Sequence, residues 1–273
     1  MAISVKTYSR LDEAVAAMST EQSARVMGGG TLMMRGVNHG TQSVSTIVRI
    51  TDASLKQIRS SGGRIQIGAA ASMSDILGNQ ELDFLHSAAK SVGGPAIRNM
   101  ATVGGNLFAR APFGDLTTAL VAADTTVAST GGYGGGEVPL EEFLANRNRG
   151  TAGIVTHVSV SRPASPDAFR FIKISRIKPK GGAVLSIAAH LPNSGGRIQG
   201  ARVVYGGMAP TSMRASGVER ALEGQTLNEA GIAGALAVAT EGCNPANDEY
   251  ASAWYRMEVA PVHLRRLLLG ESR

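Results

Sequence analysis

The chain has 273 residues, 43% of them apolar and 18% charged, with 27 Lys+Arg against 21 Asp+Glu and a formal net charge of +6. That length can bury a large core and divide into two or three units, but the 4% aromatic content and the scattered basic residues provide neither the stripe nor the stacking platform that nucleic-acid binding needs. A single cysteine, Cys243, excludes an intrachain disulfide, a Cys-ligated zinc centre and an iron–sulfur cluster built from this chain alone.

No charged-then-apolar leader opens the sequence and no 18-residue apolar run occurs, so the chain is read as cytoplasmic, without an integral membrane segment. Ser9 and Asp12 have the spacing of a capping box, and Leu11, Ala14, Val15 and Met18 then recur at helical period. A strand over 24–27 runs into Gly28-Gly29-Gly30-Thr31-Leu32 and a helical turn. The glycines bare the main chain where an anion could meet a helix N-terminus. No Gly-Lys-Ser/Thr follows and position 33 is methionine, which rules out a Walker loop and a nicotinamide dinucleotide fingerprint. Met33 and Met34 read as packing residues and His39 as a surface histidine.

Strands are expected over 46–50 and 64–69, a helix from the Ser72/Asp75 capping pair through Leu77, and a helix over 85–92 stopped by Gly93-Gly94-Pro95. After Ile97-Arg98-Asn99 comes Ala101-Thr102-Val103-Gly104-Gly105-Asn106-Leu107, read as a strand end that breaks into a bare loop. Adjacent glycine amides can form an anion-binding concavity, and Asn106 can hydrogen-bond its surroundings; the same residues also suit a plain structural turn. A helix begins near Asp115, which is either its N-cap or an acceptor for ligand hydroxyls.

Residues 125–130 read as a strand, 131–136 around Tyr133 as a plain turn, 138–144 as a short helix and 154–160 as a strand. Pro163-Ala164-Ser165-Pro166 marks a boundary, since its prolines cannot continue a ladder. Beyond it, strands are expected over 169–174, 183–191 and 197–205, with Asn193-Ser194-Gly195-Gly196 as a hairpin turn. Helices over 219–222, 227–240 and 250–269 follow, the last interrupted at Pro261. The five histidines include no i, i+4 pair, so no metal site is expected, and Cys243 reads as a buried or incidental thiol.

Met27-Gly28-Gly29-Gly30-Thr31-Leu32, then Thr102-Val103-Gly104-Gly105-Asn106-Leu107, then Asp115-Leu116 resemble the flavin-diphosphate loops and following aspartate of the FAD-binding medium subunit of molybdenum hydroxylases of the carbon monoxide dehydrogenase, quinoline oxidoreductase and xanthine dehydrogenase type. The resemblance continues through Lys173-Ile174-Ser175-Arg176 and Ser252-Ala253-Trp254-Tyr255-Arg256. It implies an α+β chain. A two-part FAD-binding fold of the vanillyl-alcohol-oxidase-like type (1–55 and 56–163) would hold the cofactor between its parts, followed by a three-stranded sheet with a helical bundle (168–273).

By the same resemblance Met27 to Leu32 and Thr102, Gly104, Gly105 and Asn106 bind the FAD diphosphate. Asp115 holds ribityl hydroxyls, and Phe171 and Lys173 approach the isoalloxazine. Implied partners are a molybdopterin large subunit and a [2Fe-2S] small subunit, in a dimer of heterotrimers. Electrons would arrive from the iron–sulfur subunit and leave to an external acceptor. Lys178-Pro179-Lys180 departs from the usual pattern after the Arg176 position. The alternatives are a stand-alone FAD oxidase or reductase of related fold and a non-catalytic assembly subunit.

Overall fold

The structure is a computed structural model, which describes residues 3–21, 23–41, 44–131, 136–148, 153–177 and 181–271. It divides into two compact units. One comprises Met1–Gly78, Pro95–Ala109 and Thr125–Ser161, and the other Asn79–Gly94, Arg110–Asp124 and Arg162–Arg273.

In the first unit, strands β1 (Ser4–Tyr8), β2 (Ala24–Met27) and β3 (Thr46–Ile50) form a parallel sheet in the order β1-β3-β2. The helix Leu11–Thr20 packs Ala14 and Met18 against Ala24, Val48 and Ile154. Its start differs from the expected Ser9/Asp12 capping box. Arg10 is the N-cap, Asp12 is ion-paired with Arg10 at 2.6 Å, and the Leu11 amide donates to Asp52, 41 residues away. A five-stranded antiparallel sheet, in the order β4-β5-β8-β6-β7, is built from β4 (Ile58–Ser61), β5 (Arg64–Gly68), β6 (Thr126–Gly131), β7 (Gly136–Pro139) and β8 (Gly153–Val160).

The expected helix over 138–144 begins only at Leu140, because 136–139 is taken up by pairing with β6. Tyr133 at the tip lies outside the described residues.

The Ser72/Asp75 capping box is present in full. The Ser72 amide donates to the Asp75 carboxylate at 2.7 Å, and the Asp75 amide to the Ser72 hydroxyl at 3.1 Å. Ser72→Ala is expected to cost about 1 kcal/mol, read as a drop in melting temperature of about 2–4 °C.

Beyond this helix the structure corrects the reading of 95–107. Pro95 opens a helix, Pro95–Met100, where its missing N–H costs nothing. Thr102 then caps a second short helix, Val103–Leu107, by accepting the Gly105 amide at 3.1 Å. The β-branched pair is thus a bridge into a helix: Ser72 pairs with Thr102, and the Met73 and Val103 amides donate to Ala101 and Ala71.

In the second unit an antiparallel sheet runs β14-β13-β10-β9, from β9 (Phe169–Ile174), β10 (Leu185–His190), β13 (Arg202–Gly206) and β14 (Met213–Arg214). The strand expected over 197–205 is broken at Gly200 (φ +67°) into β12 (Arg197–Ile198) and β13; β12 instead pairs with β11 (Asn193–Ser194) around Gly195-Gly196. The sheet therefore has a fourth, two-residue strand beside the three expected.

One face carries Ile172, Ile174, Ile187, Val203 and Tyr205 into a core with the helices Ser216–Leu222, Glu229–Ala237 and Ala253–Leu269. The opposite face is covered by the helices His86–Ser91 and Asp115–Ala122. Burial on both faces explains the near-continuous apolar run of β10. It also explains why residues 79–94 and 110–124 pack with this unit. The last helix runs unbroken through Pro261: one lost hydrogen bond is outweighed by the burial of Ala260, Leu264, Leu267 and Leu268 around it.

Among the described residues no helix is long and apolar enough to cross a membrane.

Candidate cofactor site

In the first unit the two glycine-bearing stretches meet. A Cβ on Gly28 would lie 2.5 Å from the Thr102 hydroxyl, and one on Gly29 would lie 1.5 Å from the Met100 carbonyl oxygen. Only glycine permits that approach, so the triple glycine serves contact as well as conformation; Gly30 alone has a positive φ, +72°.

Four successive amides, Gly28 to Thr31, have no acceptor among the described residues, and the chain turns directly into the helix Met33–Asn38, where Met34 donates to the Gly30 carbonyl at 2.8 Å. A run of unspent N–H groups is a concavity for an anion. Met27 ends β2 below it, and Leu32 and Met100 stand at its margins 38% and 55% exposed. Apolar surface beside an anion cradle suits a ligand that joins a charged bridge to flat rings.

The second stretch contributes differently from the bare loop expected of it. The Gly104 amide donates to the Ala69 carbonyl at 2.8 Å, Gly105 to the Thr102 hydroxyl and Asn106 to the Thr102 carbonyl at 2.9 Å. A Cβ on Gly104 would sit 3.0 Å from the Ala69 carbonyl oxygen. This stretch is the wall that fits against Gly28 and Gly29, and its amides from Val103 to Asn106 are already used.

In the second unit Asp115 occupies the first turn of its helix and is not the N-cap. Gly114, at φ +101°, holds that position without a side-chain bond. The Asp115 carboxylate is buried. Its Oδ2 accepts from Lys173 Nζ at 2.6 Å, whereas Oδ1 has no partner among the described residues. Burial pushes the carboxyl above its ordinary range, opposed by the Lys173 ammonium and the Ser91 hydroxyl. Lys173 also donates to the carbonyls of Ser91 (3.1 Å) and Gly181 (2.9 Å), which uses all three of its protons.

An orphaned carboxylate oxygen beside a saturated ammonium is an acceptor held ready for a hydroxyl donor. Phe171, half-buried, shares the β9 face of Lys173 and pairs with Ala188.

Ser91 and Gly181 had no sequence signal, because each acts through a backbone carbonyl brought in by tertiary folding. Lys178-Pro179-Lys180 lies outside the described residues. Burial raises the half-buried Cys243 thiol to about 11, leaving it an unreactive thiol. Among the described residues no three His, Cys, Asp or Glu side chains cluster as a metal site.

Residues 2–163 match the family model described as FAD binding domain in molybdopterin dehydrogenase, and residues 170–270 match CO dehydrogenase flavoprotein C-terminal domain. The chain is 26% identical over 263 residues to the glyceraldehyde dehydrogenase medium chain of Sulfolobus acidocaldarius, covering 92% of each. It is 26% identical over 225 residues to the carbon monoxide dehydrogenase medium chain of Hydrogenophaga pseudoflava, covering 78% of this chain and 77% of that one. Its fold superposes on carbon monoxide dehydrogenase from Hydrogenophaga pseudoflava with a TM-score of 0.90 at 22% identity, covering 98% and 96% of the two chains. Quinoline 2-oxidoreductase from Pseudomonas putida 86 gives 0.88 at 23% identity, covering 99% and 96%.

Proposed function

Because the chain belongs to the family of FAD-binding domains of molybdopterin dehydrogenases, we propose that it holds FAD and passes electrons from an iron–sulfur partner to an external acceptor. It is the flavoprotein subunit of a multi-subunit oxidoreductase. Its relatives include the medium chains of carbon monoxide and glyceraldehyde dehydrogenases. The molybdopterin and [2Fe-2S] groups belong to partner subunits, and a dimer of heterotrimers is the assembly we propose.

The residues fit the cofactor. The unspent amides of Gly28, Gly29, Gly30 and Thr31 would take the diphosphate. Thr102, Gly104, Gly105 and Asn106 would form the wall that keeps the loop open, with Met27 and Leu32 at its edges. Oδ1 of Asp115 would accept a ribityl hydroxyl, with Lys173 fixing the carboxylate and Phe171 offering an aromatic face beside it. When bound, FAD supplies the electron store of the complex. The chain's own contribution is to bind it, orient it and set the charge around it.

The observation that carries this reading is the interlock of Gly28 and Gly29 with Met100 and Thr102, which has no use in a plain turn. Titration of the full chain with FAD, followed by flavin fluorescence, is expected to show one site and a yellow product. FAD at a hundred times its Kd should stabilise the chain by about 2.7 kcal/mol. The chain alone should not turn over small alcohols or NADPH. Failure to take up FAD would overturn the proposal.

A further inference from the structure

We propose that Arg256 is a positioning residue for the Asp115–Lys173 pair, an inference that rests on the cofactor role given to that pair above. Arg256 is 1% exposed on the last helix and every donor of its guanidinium is engaged. Nε donates to the Val184 carbonyl at 2.7 Å and Nη2 to Ala183 at 3.3 Å. Nη1 donates to Ala246 at 2.5 Å and Ala251 at 3.2 Å, while Nη2 also meets both oxygens of Asp248 at 2.9 and 2.8 Å. One rigid fork thus clasps the start of β10 to the 246–251 loop.

Both segments that aim the pair converge on what Arg256 holds. Gly181, which accepts from Lys173 Nζ, lies two residues before the clasped Ala183. The Ala183 amide donates to the Pro112 carbonyl at 3.1 Å, three residues before Asp115. Tyr250, borne on the clasped loop, meets Phe113 edge-on with centroids 5.8 Å apart. It also lies so close to Gly182 that a Cβ there would be 2.8 Å from the Tyr250 ring and 2.8 Å from Pro112. Packing of the last helix does not require a charge at this position, since Ala260, Leu264 and Leu268 already fill the core. A buried guanidinium is costly where an apolar side chain would serve. Its geometric result is a fixed Gly181 carbonyl, hence a fixed Lys173 ammonium and a carboxylate oxygen that faces its ligand.

The test is a double-mutant cycle on the full chain, read as FAD affinity together with the visible circular dichroism of the bound flavin and the melting temperature. Arg256→Met is expected to weaken FAD about tenfold. On a Lys173→Met background it should weaken FAD less than about twofold further, because the two act through one element. Arg256→Lys should recover part of the affinity.

Leu264→Ala, buried on the same helix but away from the clasp, is the control for general destabilisation. If Arg256→Met weakens FAD no more than this control for the same loss of melting temperature, or if its effect multiplies fully with that of Lys173→Met, the inference fails. Should Arg256→Met not fold, Tyr250→Ala carries the test. It should weaken FAD about fivefold with little change in melting temperature, and unchanged affinity overturns the inference. A wild-type chain that takes up no FAD overturns the functional reading and this inference together.

Discussion

Replacing Gly29 with alanine is expected to abolish FAD binding at micromolar cofactor and to destabilise the chain by about 3 kcal/mol, the upper end of the overpacking range. The added methyl would stand 1.5 Å from the Met100 carbonyl oxygen, a backbone atom that no side-chain rotation can move aside. To relieve the clash, the 28–31 loop must lift away from residues 100–102. The row of free amides then no longer curves around one point, so stability and cofactor affinity fall together. At about 2–4 °C per kcal/mol, the melting temperature should drop by about 6–12 °C. Gly78→Ala is the control, since its Cβ would meet only ordinary contacts at 3.6 and 3.7 Å. A Gly29→Ala chain with wild-type FAD affinity would show that the interlock of the two stretches is irrelevant to binding.

Lys173→Met should be the second large effect. It removes the ammonium from a fully buried carboxylate, and loss of one partner of a buried pair costs about 3–5 kcal/mol. The Ser91 hydroxyl donates to the Ala88 carbonyl at 2.7 Å, so Asp115 loses its one ion-pair partner and is driven toward its neutral form, since burial already raises its pKa. Combining Lys173→Met with Asp115→Leu removes both charges together and should recover most of the lost stability, because a buried pair contributes little net over an apolar replacement of similar size. FAD affinity should not recover with it. Denaturant titration and flavin fluorescence on the same samples separate the two quantities. Recovery of both would mean that the pair serves only the fold.

Much of the architecture was legible from local chemistry. The Ser72/Asp75 box, the Gly195-Gly196 turn and the strands over 24–27, 46–50 and 169–174 follow from capping, positive-φ glycines and β-branched runs, which act within a few residues. The misreadings share one cause. Ser9 and Asp12 had the right spacing for a cap, but Asp52 reached the Leu11 amide from 41 residues away. Thr102 to Asn106 looked like a bare loop, but Ala69 and Ala71 accept its amides and turn it into a capped helix. Pro261 should break a helix in isolation, and burial of the residues on either side carries the helix through it. In each case a group distant in sequence competed with a local rule and won.

For the candidate site the same division holds. Sequence alone determined which residue types were present: a row of glycines before a helix, a second Thr-Val-Gly-Gly-Asn stretch, an aspartate opening a helix and a lysine in a strand. These are chemical identities, and chemistry is written locally. Only the tertiary structure decided that Gly28 and Gly29 close on Met100 and Thr102, that the Gly28–Thr31 amides stay free among the described residues while those of Val103 to Asn106 are spent, and that Lys173 spends all its protons while one oxygen of Asp115 stays open among them. Which donors are already satisfied depends on every acceptor the folded chain brings near, and that is a property of packing rather than of spacing.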